Sequence, residues 1–309
     1  MSSTRTTKRT DRAKDRNRAL IEEARNQPVA FQNTWIQGRR YPSTINAGRS
    51  MTITETKILM YIVSKIKPTD TEFAPQEFNL RNFCEVCGIG GQQVTNCYSH
   101  LKSAVKRLAD RSEWLKKPDG KETLVRIIQK VELDTIGTGC ITIILDNDMA
   151  PYLLELKKNY TVFPLREILR MKSKYGIVLY ELLKSLSYMG KPIVFDLQEL
   201  KEKLDCTNYT STYNFKVKVI EPAINDINTY SSLKVEDVVY EKKGRAVSKV
   251  VFYVKNLETS QDAQDVIELN QRVDTVNAEL YEADQYSLFD GAYGTVMGAE
   301  AVEAAGIRV

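Results

Sequence analysis

Apolar residues recur at helical spacing in three successive stretches of the second half of this chain. The first stretch lines one face of a predicted helix with Tyr175, Val178, Leu179, Leu182, Leu183 and Leu186. After the β-prone run Ile193–Phe195, the second stretch, Leu197–Leu204, has Asp196 as its candidate N-cap. The third stretch runs from Tyr213 to about Tyr230, behind a polar turn. This spacing predicts three helices with a short strand between the first two.

Two β-rich segments, Leu233–Tyr240 and Ser248–Val254, follow the third helix and predict a hairpin. The predicted tip, Glu241–Arg245, is basic through Lys242, Lys243 and Arg245. Helix, strand, helix, helix and hairpin is the element order of a winged helix. In related DNA-binding motifs the recognition helix enters the major groove, and in a winged helix the hairpin tip reaches the flanking backbone.

The predicted third helix has one apolar and one polar side. The apolar side carries Phe215, Val219, Ile220, Ala223, Ile224 and Ile227. The polar side of its first turns carries Thr212, Asn214, Lys216 and Lys218. Asparagine pairs bidentately with adenine, and lysine reaches guanine or phosphate. These residues and the basic hairpin tip are therefore candidate DNA-binding residues; the alternative is that the two lysines only keep an exposed helix soluble.

A second set of elements in the same order begins near Met51. Thr52 and Glu55 have the spacing of a capping box at the start of its first helix, and Asn79 and Gly88 are candidate ends of its second. The apolar positions of its three helices are Ile58, Leu59, Ile62, Val63 and Ile66, then Leu80, Phe83 and Cys87, then Tyr98, Leu101, Ala104, Val105 and Leu108. The predicted strands that close this unit are Leu124–Leu133 and Cys140–Leu145.

The apolar positions of the two units superpose at offsets of 120, 117 and 119 residues for the first, second and third helices. Three matches at a nearly constant offset, each trio followed by a hairpin, predict two winged helices in tandem. The predicted fold class is therefore α+β. Its predicted parts are a basic arm over residues 1–50, winged helices over 51–160 and 161–256, joined by a connector at 148–165, and an acidic tail over 257–309.

The third helix of the first unit is predicted to begin near Gln92, and its outer side is polar. That side carries Gln92, Gln93, Thr95, Asn96, Ser99 and Lys102. Glutamine and asparagine are good readers of adenine, so these are candidate DNA-binding residues. The alternative is that the first unit serves only for dimerisation or packing.

Charge is unevenly distributed along the 309 residues, whose formal net charge is +4. Residues 1–40 hold ten basic side chains against four acidic ones, and residues 161–256 hold sixteen against eleven. Residues 257–309 reverse the balance, with two against eleven. The basic regions favour a polyanionic partner. The arm is either a solubilising extension or a non-specific phosphate-binding segment, and the acidic tail either repels DNA or contacts a protein.

No apolar run approaches the roughly 20 residues that span a bilayer, so no membrane partner is expected. The N-terminus lacks the apolar core of a secretory signal. Five cysteines in no small-secreted-domain pattern favour the reducing cytoplasm of a bacterium.

Candidate catalytic chemistry is weak. His100 is the only histidine, which excludes a nickase of the two-histidine type, and a P-loop sequence is absent. Cys84, Cys87, Cys97 and His100 have zinc-ligand spacing. The repeat instead places Cys87 at the core position of Leu204, which favours free cysteines acting as small apolar residues. We predict no enzymatic activity, no metal and no cofactor.

Several segments also resemble a known family of proteins. They are Phe163–Arg166, Ser173–Leu183, Asn214–Asn228 and Lys242–Arg245 in the second unit, and Met51–Lys57 and Pro151–Lys157 in the first. They are similar to the RepB/RepE-type replication initiators of iteron plasmids, over roughly residues 51–256. The chain departs from that family at Val217, a position where the family frequently has a basic residue, and over residues 29–50.

The resemblance implies two winged-helix domains that bind repeated double-stranded sites, the iterons, at a plasmid origin. It also implies a protein that opens the origin as a monomer and represses its own gene as a homodimer. Two rival hypotheses stay open: a tandem winged-helix transcriptional repressor without a role in replication, and a partition or DNA-bridging protein.

The acidic tail contains the peptide Gln285-Tyr286-Ser287-Leu288-Phe289. It resembles the motif by which bacterial replication proteins bind the sliding clamp, with Tyr286 in place of the usual leucine. In such extended peptides the Leu288 and Phe289 side chains would fill an apolar pocket while Gln285 bonds at its rim. The alternative is that Leu288 and Phe289 dock onto the protein's own winged helices.

Overall fold

The computed structural model describes residues 15–39, 50–89, 94–134 and 139–257, with the backbone alone for residues 94–98. Within these ranges two winged helices follow one another, each built from three helices and a three-stranded sheet. The predicted α+β class and the predicted tandem order are confirmed. Nowhere in these ranges is there a helix long and apolar enough to cross a membrane.

The N-terminal segment belongs to the folded body from residue 15 onward. Helix α1 covers residues 15–25, strand β1 is Pro28–Gln32 and helix α2 is Asn33–Gly38. Strand β1 pairs antiparallel with strand β7, Tyr160–Pro164. The buried side chains of the segment include Leu20, Ile21, Ala24, Val29, Phe31, Trp35 and Ile36. The prediction of an arm over residues 1–50 is therefore wrong for residues 15–39, because their apolar side chains contribute to the core; residues 1–14 lie outside the described ranges.

Domain 1 starts with helix α3 and ends with strand β6. Its elements are α3 Ile53–Val63, β2 Gln76–Asn79, α4 Leu80–Cys87, α5 Val94–Ala109, β3 Ser112–Lys116, β4 Glu122–Arg126, β5 Ile128–Leu133 and β6 Cys140–Leu145. Thr52 and Glu55 form the predicted capping box, and Asn79 caps α4. Gly88 ends α4 in the left-handed conformation, with φ of 65°, as glycine does at many helix ends.

The wing region of domain 1 has more strands than predicted. The single strand predicted over Leu124–Leu133 is two strands: β4 pairs with β3 in a separate hairpin, and β5 pairs with β6. Ile127 and Ile128 are both buried, so the alternation of a single strand is broken there and the chain passes from one sheet to the other. Strand β2 completes a sheet of order β2-β6-β5.

The predicted connector is a run of short elements. A 3₁₀ turn, Asn147–Met149, leads into α6, Ala150–Leu153, and strand β7 is followed by α7, Leu165–Arg170. The backbone N–H groups of Glu155 and Leu156 donate to the carbonyl oxygens of Asp70 and Pro68, in the loop after α3, at 3.0 and 2.8 Å. The connector is therefore packed against domain 1 as well as paired with the N-terminal segment.

Domain 2 follows the predicted order closely. Its elements are α8 Lys174–Ser187, β8 Ile193–Asp196, α9 Leu197–Lys203, α10 Thr212–Phe215, a π-helical turn Lys216–Ile220, α11 Glu221–Tyr230, β9 Leu233–Lys243 and β10 Ala246–Asn256. Asp196 caps α9 as predicted, accepting from the backbone N–H groups of Gln198 and Glu199. The sheet order is β8-β10-β9, and it matches the order β2-β6-β5 in domain 1. In both sheets the short strand before the second helix pairs with the last strand of the wing.

The two domains are joined through α2 and the residues that follow it. Arg39 forms an ion pair with Glu181 of α8, and both side chains are buried. Gln37 Nε2 donates to Ser185 Oγ at 3.1 Å, and Lys203 donates to the Gln37 carbonyl. The N-terminal segment therefore connects domain 1 to the first two helices of domain 2.

Candidate nucleic-acid interface

The third helix of domain 2 is continuous from Thr212 to Tyr230 and is called the reading helix below. Ser211 caps it by accepting from the Asn214 N–H. The fully buried side of the helix comprises Phe215, Val219, Ile220, Ala223 and Ile227, with Ile224 partly buried against the core. The predicted apolar side is therefore confirmed.

The reading helix changes its winding at Lys216–Ile220, where it is π-helical. Glu221 N–H donates to the Lys216 carbonyl, five residues earlier, in place of the usual four. Pro222 directly follows Glu221 and has neither an N–H nor space for a normal turn behind it. A wider turn relieves this conflict, and such turns are frequent at functional sites.

The predicted candidates on this helix share its outer side. Asn214, Lys216 and Lys218 are exposed, and Thr212 is half-buried. Two large apolar residues that were not predicted as candidates are exposed beside them: Tyr213 is 72% and Val217 is 37% exposed. The sequence signal for them was available, since an apolar residue at each position breaks an otherwise polar outer side.

Lys216 is tied to the wing. Its ammonium lies 5.6 Å from the ring centre of Tyr240 on β9 and 4.0 Å from Glu221 Oε1. Burial, reinforced by the negative charge of Glu221, raises the pKa of Tyr240 to about 12, so the ring stays neutral. Lys216 therefore connects the reading helix to strand β9, whereas Lys218 forms no ion pair with any side chain in the described ranges.

The wing of domain 2 extends beyond its sheet. Strand β8 pairs with β10 only from Lys249 to Phe252, so the end of the β9–β10 hairpin is a two-stranded ribbon. Lys242 and Lys243 lie at the end of β9, and Arg245 lies in the two-residue turn with Gly244, whose φ is 68°. All three basic side chains are exposed. The turn is thus shorter than the predicted tip, but all three basic residues lie at or beside it.

In domain 1 the equivalent helix is α5. Leu101, Ala104, Val105 and Leu108 are buried as predicted, while Ser99 and Lys102 are exposed. Gln92 and Gln93 lie outside the described residues, as do the side chains of Thr95 and Asn96. A DNA-reading role for α5 therefore stays a prediction.

Domain 1 also has a basic hairpin that the sequence reading missed. Strands β3 and β4 meet at a tip that contains Lys116, Lys117 and Lys121 with Asp119. The predicted elements include no strand over Ser112–Lys116, and they place Leu124–Arg126 in the wing, so this hairpin was not expected.

Among the described side chains, no group of three or more His, Cys, Asp or Glu residues is placed to hold a metal ion. Cys87 is buried and free, as predicted, and burial raises the pKa of its thiol. Cys84 is disulfide-bonded, so the free-cysteine prediction is wrong for that residue. The Cys97 side chain and the tail residues Gln285, Leu288 and Phe289 lie outside the described side chains.

Two tandem winged helices with an exposed polar side on the reading helix and a projecting basic wing define the winged-helix class of nucleic-acid-binding proteins. Residues 40–184 match the family model described as initiator replication protein, WH1, and residues 196–254 match initiator Rep protein, WH2. This chain belongs to that family of replication initiator proteins. The first model continues into α8, past the boundary predicted at residue 160.

The chain is also similar to one relative in sequence and to one solved structure in fold. A replication initiation protein of Escherichia coli is 26% identical over 226 residues, which span 70% of this chain and 68% of that protein. The crystal structure of Pi initiator protein in complex with iteron DNA superposes with a TM-score of 0.56, covering 74% of this chain and 96% of that one. Its sequence identity is 18%, so that likeness supports the shared fold.

Proposed function

We propose that this protein initiates the replication of a plasmid by binding repeated double-stranded DNA sites at the origin through its winged helices. The observation that carries the proposal is the exposed side of the reading helix next to a basic ribbon that projects beyond its sheet. Helix and ribbon are linked by Lys216 and Tyr240, so they can contact the groove and the adjacent backbone together.

In this proposal the protein opens the origin, recruits host replication proteins and represses its own gene, in a monomer–homodimer equilibrium in the bacterial cytoplasm. The charge of the binding surface supports a DNA partner, because phosphate contacts by exposed lysine and arginine provide most non-specific affinity. Asn214 and Lys218 would supply base contacts, and Lys242, Lys243 and Arg245 would supply backbone contacts.

The first experiment measures binding of the full chain to the DNA that flanks its gene, with a shuffled duplex of equal length as the control. Cognate binding that exceeds shuffled binding by at least tenfold supports specific recognition. Equal affinity for both duplexes would contradict the proposal.

Footprinting on the bound fragment tests the role of domain 1. If α5 also reads DNA, two major-groove patches about one helical turn apart are protected, and Lys102→Ala reduces protection of one of them. A single patch that Lys102→Ala leaves unchanged indicates the alternative, a domain used for dimerisation or packing.

The clamp-like peptide provides the test that separates an initiator from a repressor. The wild-type chain is expected to retain the host's sliding clamp in a pull-down, and Leu288→Ala/Phe289→Ala is expected to lose it while DNA affinity stays unchanged. Equal retention by both chains, or none by the wild type, would remove the clamp as a partner.

A plasmid whose only origin is the flanking DNA should replicate only when the protein is supplied. Repression of the gene's promoter without replication would favour the transcriptional repressor.

A further inference from the structure

The outermost line of the reading helix is apolar. Successive residues of an α-helix are rotated by about 100°, and by somewhat less in the π-helical turn, so Tyr213 and Val217, four apart, lie on the same side of the helix. Phe215 and Val219, each two residues further on, lie roughly opposite and are fully buried. Tyr213 and Val217 therefore lie on the side of the helix away from the core, 72% and 37% exposed, with Val217 between the exposed Lys216 and Lys218.

The neighbouring polar residues leave this position to Val217. The Lys216 ammonium is held between the Tyr240 ring and Glu221, on the side of the wing. Asn214 and Lys218 are four residues apart on the other side of the line, where both are exposed. A base edge approaching the middle of the helix would thus meet an apolar surface flanked by hydrogen-bond donors.

Val217 is suited to contact with one chemical group of DNA. The only apolar group that base pairs present in the major groove is the 5-methyl group of thymine. A valine in a helix has essentially one side-chain rotamer, so its two methyl groups are already fixed and little entropy is lost on contact. A lysine or asparagine at this position would instead leave the methyl group against a polar side chain.

We propose that Val217 reads the 5-methyl group of a thymine in the bound site, with the ring of Tyr213 packing beside it. This inference rests on the proposed function, because it requires the reading helix to enter the major groove. It makes Val217 a specificity-determining residue, distinct from the polar candidates predicted from the sequence.

The experiment compares thymine with uracil, which lacks only the methyl group. Duplexes are selected from a random library with the wild-type protein and then amplified with either dTTP or dUTP. The two pools share every base sequence and differ only in their methyl groups. Affinities of the wild type, Val217→Ala and a matched control, Val194→Ala, are measured for both pools. Val194 is also exposed, at 50%, but lies on the edge strand β8.

Wild type and Val194→Ala are expected to bind the thymine pool more tightly than the uracil pool. Losing one buried methyl contact should weaken binding about fourfold. In Val217→Ala the thymine-to-uracil ratio should fall by about the same factor, because any other methyl contact persists in that variant. Single uracil substitutions in the selected consensus should then locate one position at which wild type loses affinity and Val217→Ala does not.

An unchanged thymine-to-uracil ratio in Val217→Ala would overturn this inference while leaving the proposed function intact, provided that wild type still selects its pool. Failure of wild type to prefer the selected pool over the unselected library would overturn both. Unfolding temperatures of the three proteins exclude misfolding, which is not expected for two exposed valines.

Discussion

The two winged helices carry opposite charges at equivalent positions of their third helices, next to the start of the first helix. Both arrangements place a carboxylate at that start. In domain 1, Arg107 of α5 forms an ion pair at 2.5 Å with Glu55 in the first turn of α3. The residue 119 positions later in the repeat is Asp226 of α11, whose carboxylate accepts the backbone N–H groups of Lys172 and Ser173 at 2.9 and 2.6 Å. The free N–H groups at a helix start favour a negative charge. Domain 1 supplies that charge from within α3, and domain 2 supplies it from the third helix.

The difference shows which feature of the repeat is required. The third helix must be fixed to the start of the first, and a carboxylate must lie there, but the element that carries it can change. In domain 1 the carboxylate of Glu55 belongs to the first helix and pairs with Arg107 of the third. In domain 2 the carboxylate of Asp226 belongs to the third helix itself.

The wings differ in length and charge. Strands β9 and β10 have 11 residues each, whereas β5 and β6 have 6. The tip in domain 2 carries Lys242, Lys243 and Arg245, while residues 134–139, which connect β5 and β6, include Asp134 and no basic residue. The proposed wing contact with the DNA backbone therefore belongs to domain 2.

The largest expected effect is at Glu55. Its side chain is buried and contacts both Arg107 and Arg111, and it completes the capping box. We expect Glu55→Ala to lower the free energy of unfolding by about 2–3 kcal/mol, because the helix loses its capping box and Arg111, whose side chain is only 17% exposed, loses an ion-pair partner. Denaturant unfolding measures the change. Glu85→Ala, which removes an exposed i,i+4 pair with Arg81, is the control and should cost no more than about 0.5 kcal/mol; similar costs for both would contradict the argument.

Asp226→Ala should lower the free energy of unfolding by about 1–2 kcal/mol, since two backbone N–H groups lose their acceptor. The same unfolding measurement applies, with the exposed neighbour Asn225→Ala as the control. Gly176→Ala should act in the same direction, because an added Cβ would lie 3.0 Å from Asp226 Cβ and Oδ2. If Asp226→Ala lowered the free energy of unfolding no more than Asn225→Ala, the stabilising role of this carboxylate at the start of the first helix would be contradicted.

Within domain 2, the two lysines of the reading helix should differ in their effect on DNA binding. Lys218→Ala is expected to weaken cognate binding by about 1 kcal/mol or more, the cost of one base contact. Lys216→Ala should have a smaller effect, equal to that of Tyr240→Leu, because both changes separate the helix from the wing. Fluorescence anisotropy with the flanking DNA measures all three. A larger loss of affinity in Lys216→Ala than in Lys218→Ala would indicate that Lys216 contacts a base directly.

Arg245→Ala should give the smallest change in affinity and the same change on cognate and shuffled DNA. Losing one phosphate contact should reduce the slope of log K against log salt by about 0.9. Lys234→Ala removes an equal charge at the opposite end of the β9–β10 hairpin and should leave the slope unchanged. A slope that changes equally in both variants would show a net-charge effect instead of a wing contact.

The sequence by itself determined the three helices of each domain and the wing of domain 2. Local signals were sufficient for this: helical spacing of buried residues, the caps Thr52, Asn79 and Asp196, and a basic run around Gly244. Each of these depends on residues a few positions apart, so the pattern is visible without knowledge of the fold. The two-domain prediction followed because the same local pattern occurs twice.

Only the tertiary structure placed the N-terminal segment, because its strand pairs Pro28 with Pro164 across more than half of the described chain. The same holds for the buried pair Arg39–Glu181 and for Lys216 over the Tyr240 ring. In the sequence Arg39 is one more charge in a basic arm, and Lys216 is one of two equivalent lysines. Whether such a side chain faces solvent, a buried carboxylate or a ring depends on which distant residue the fold brings beside it, and no local periodicity records that choice.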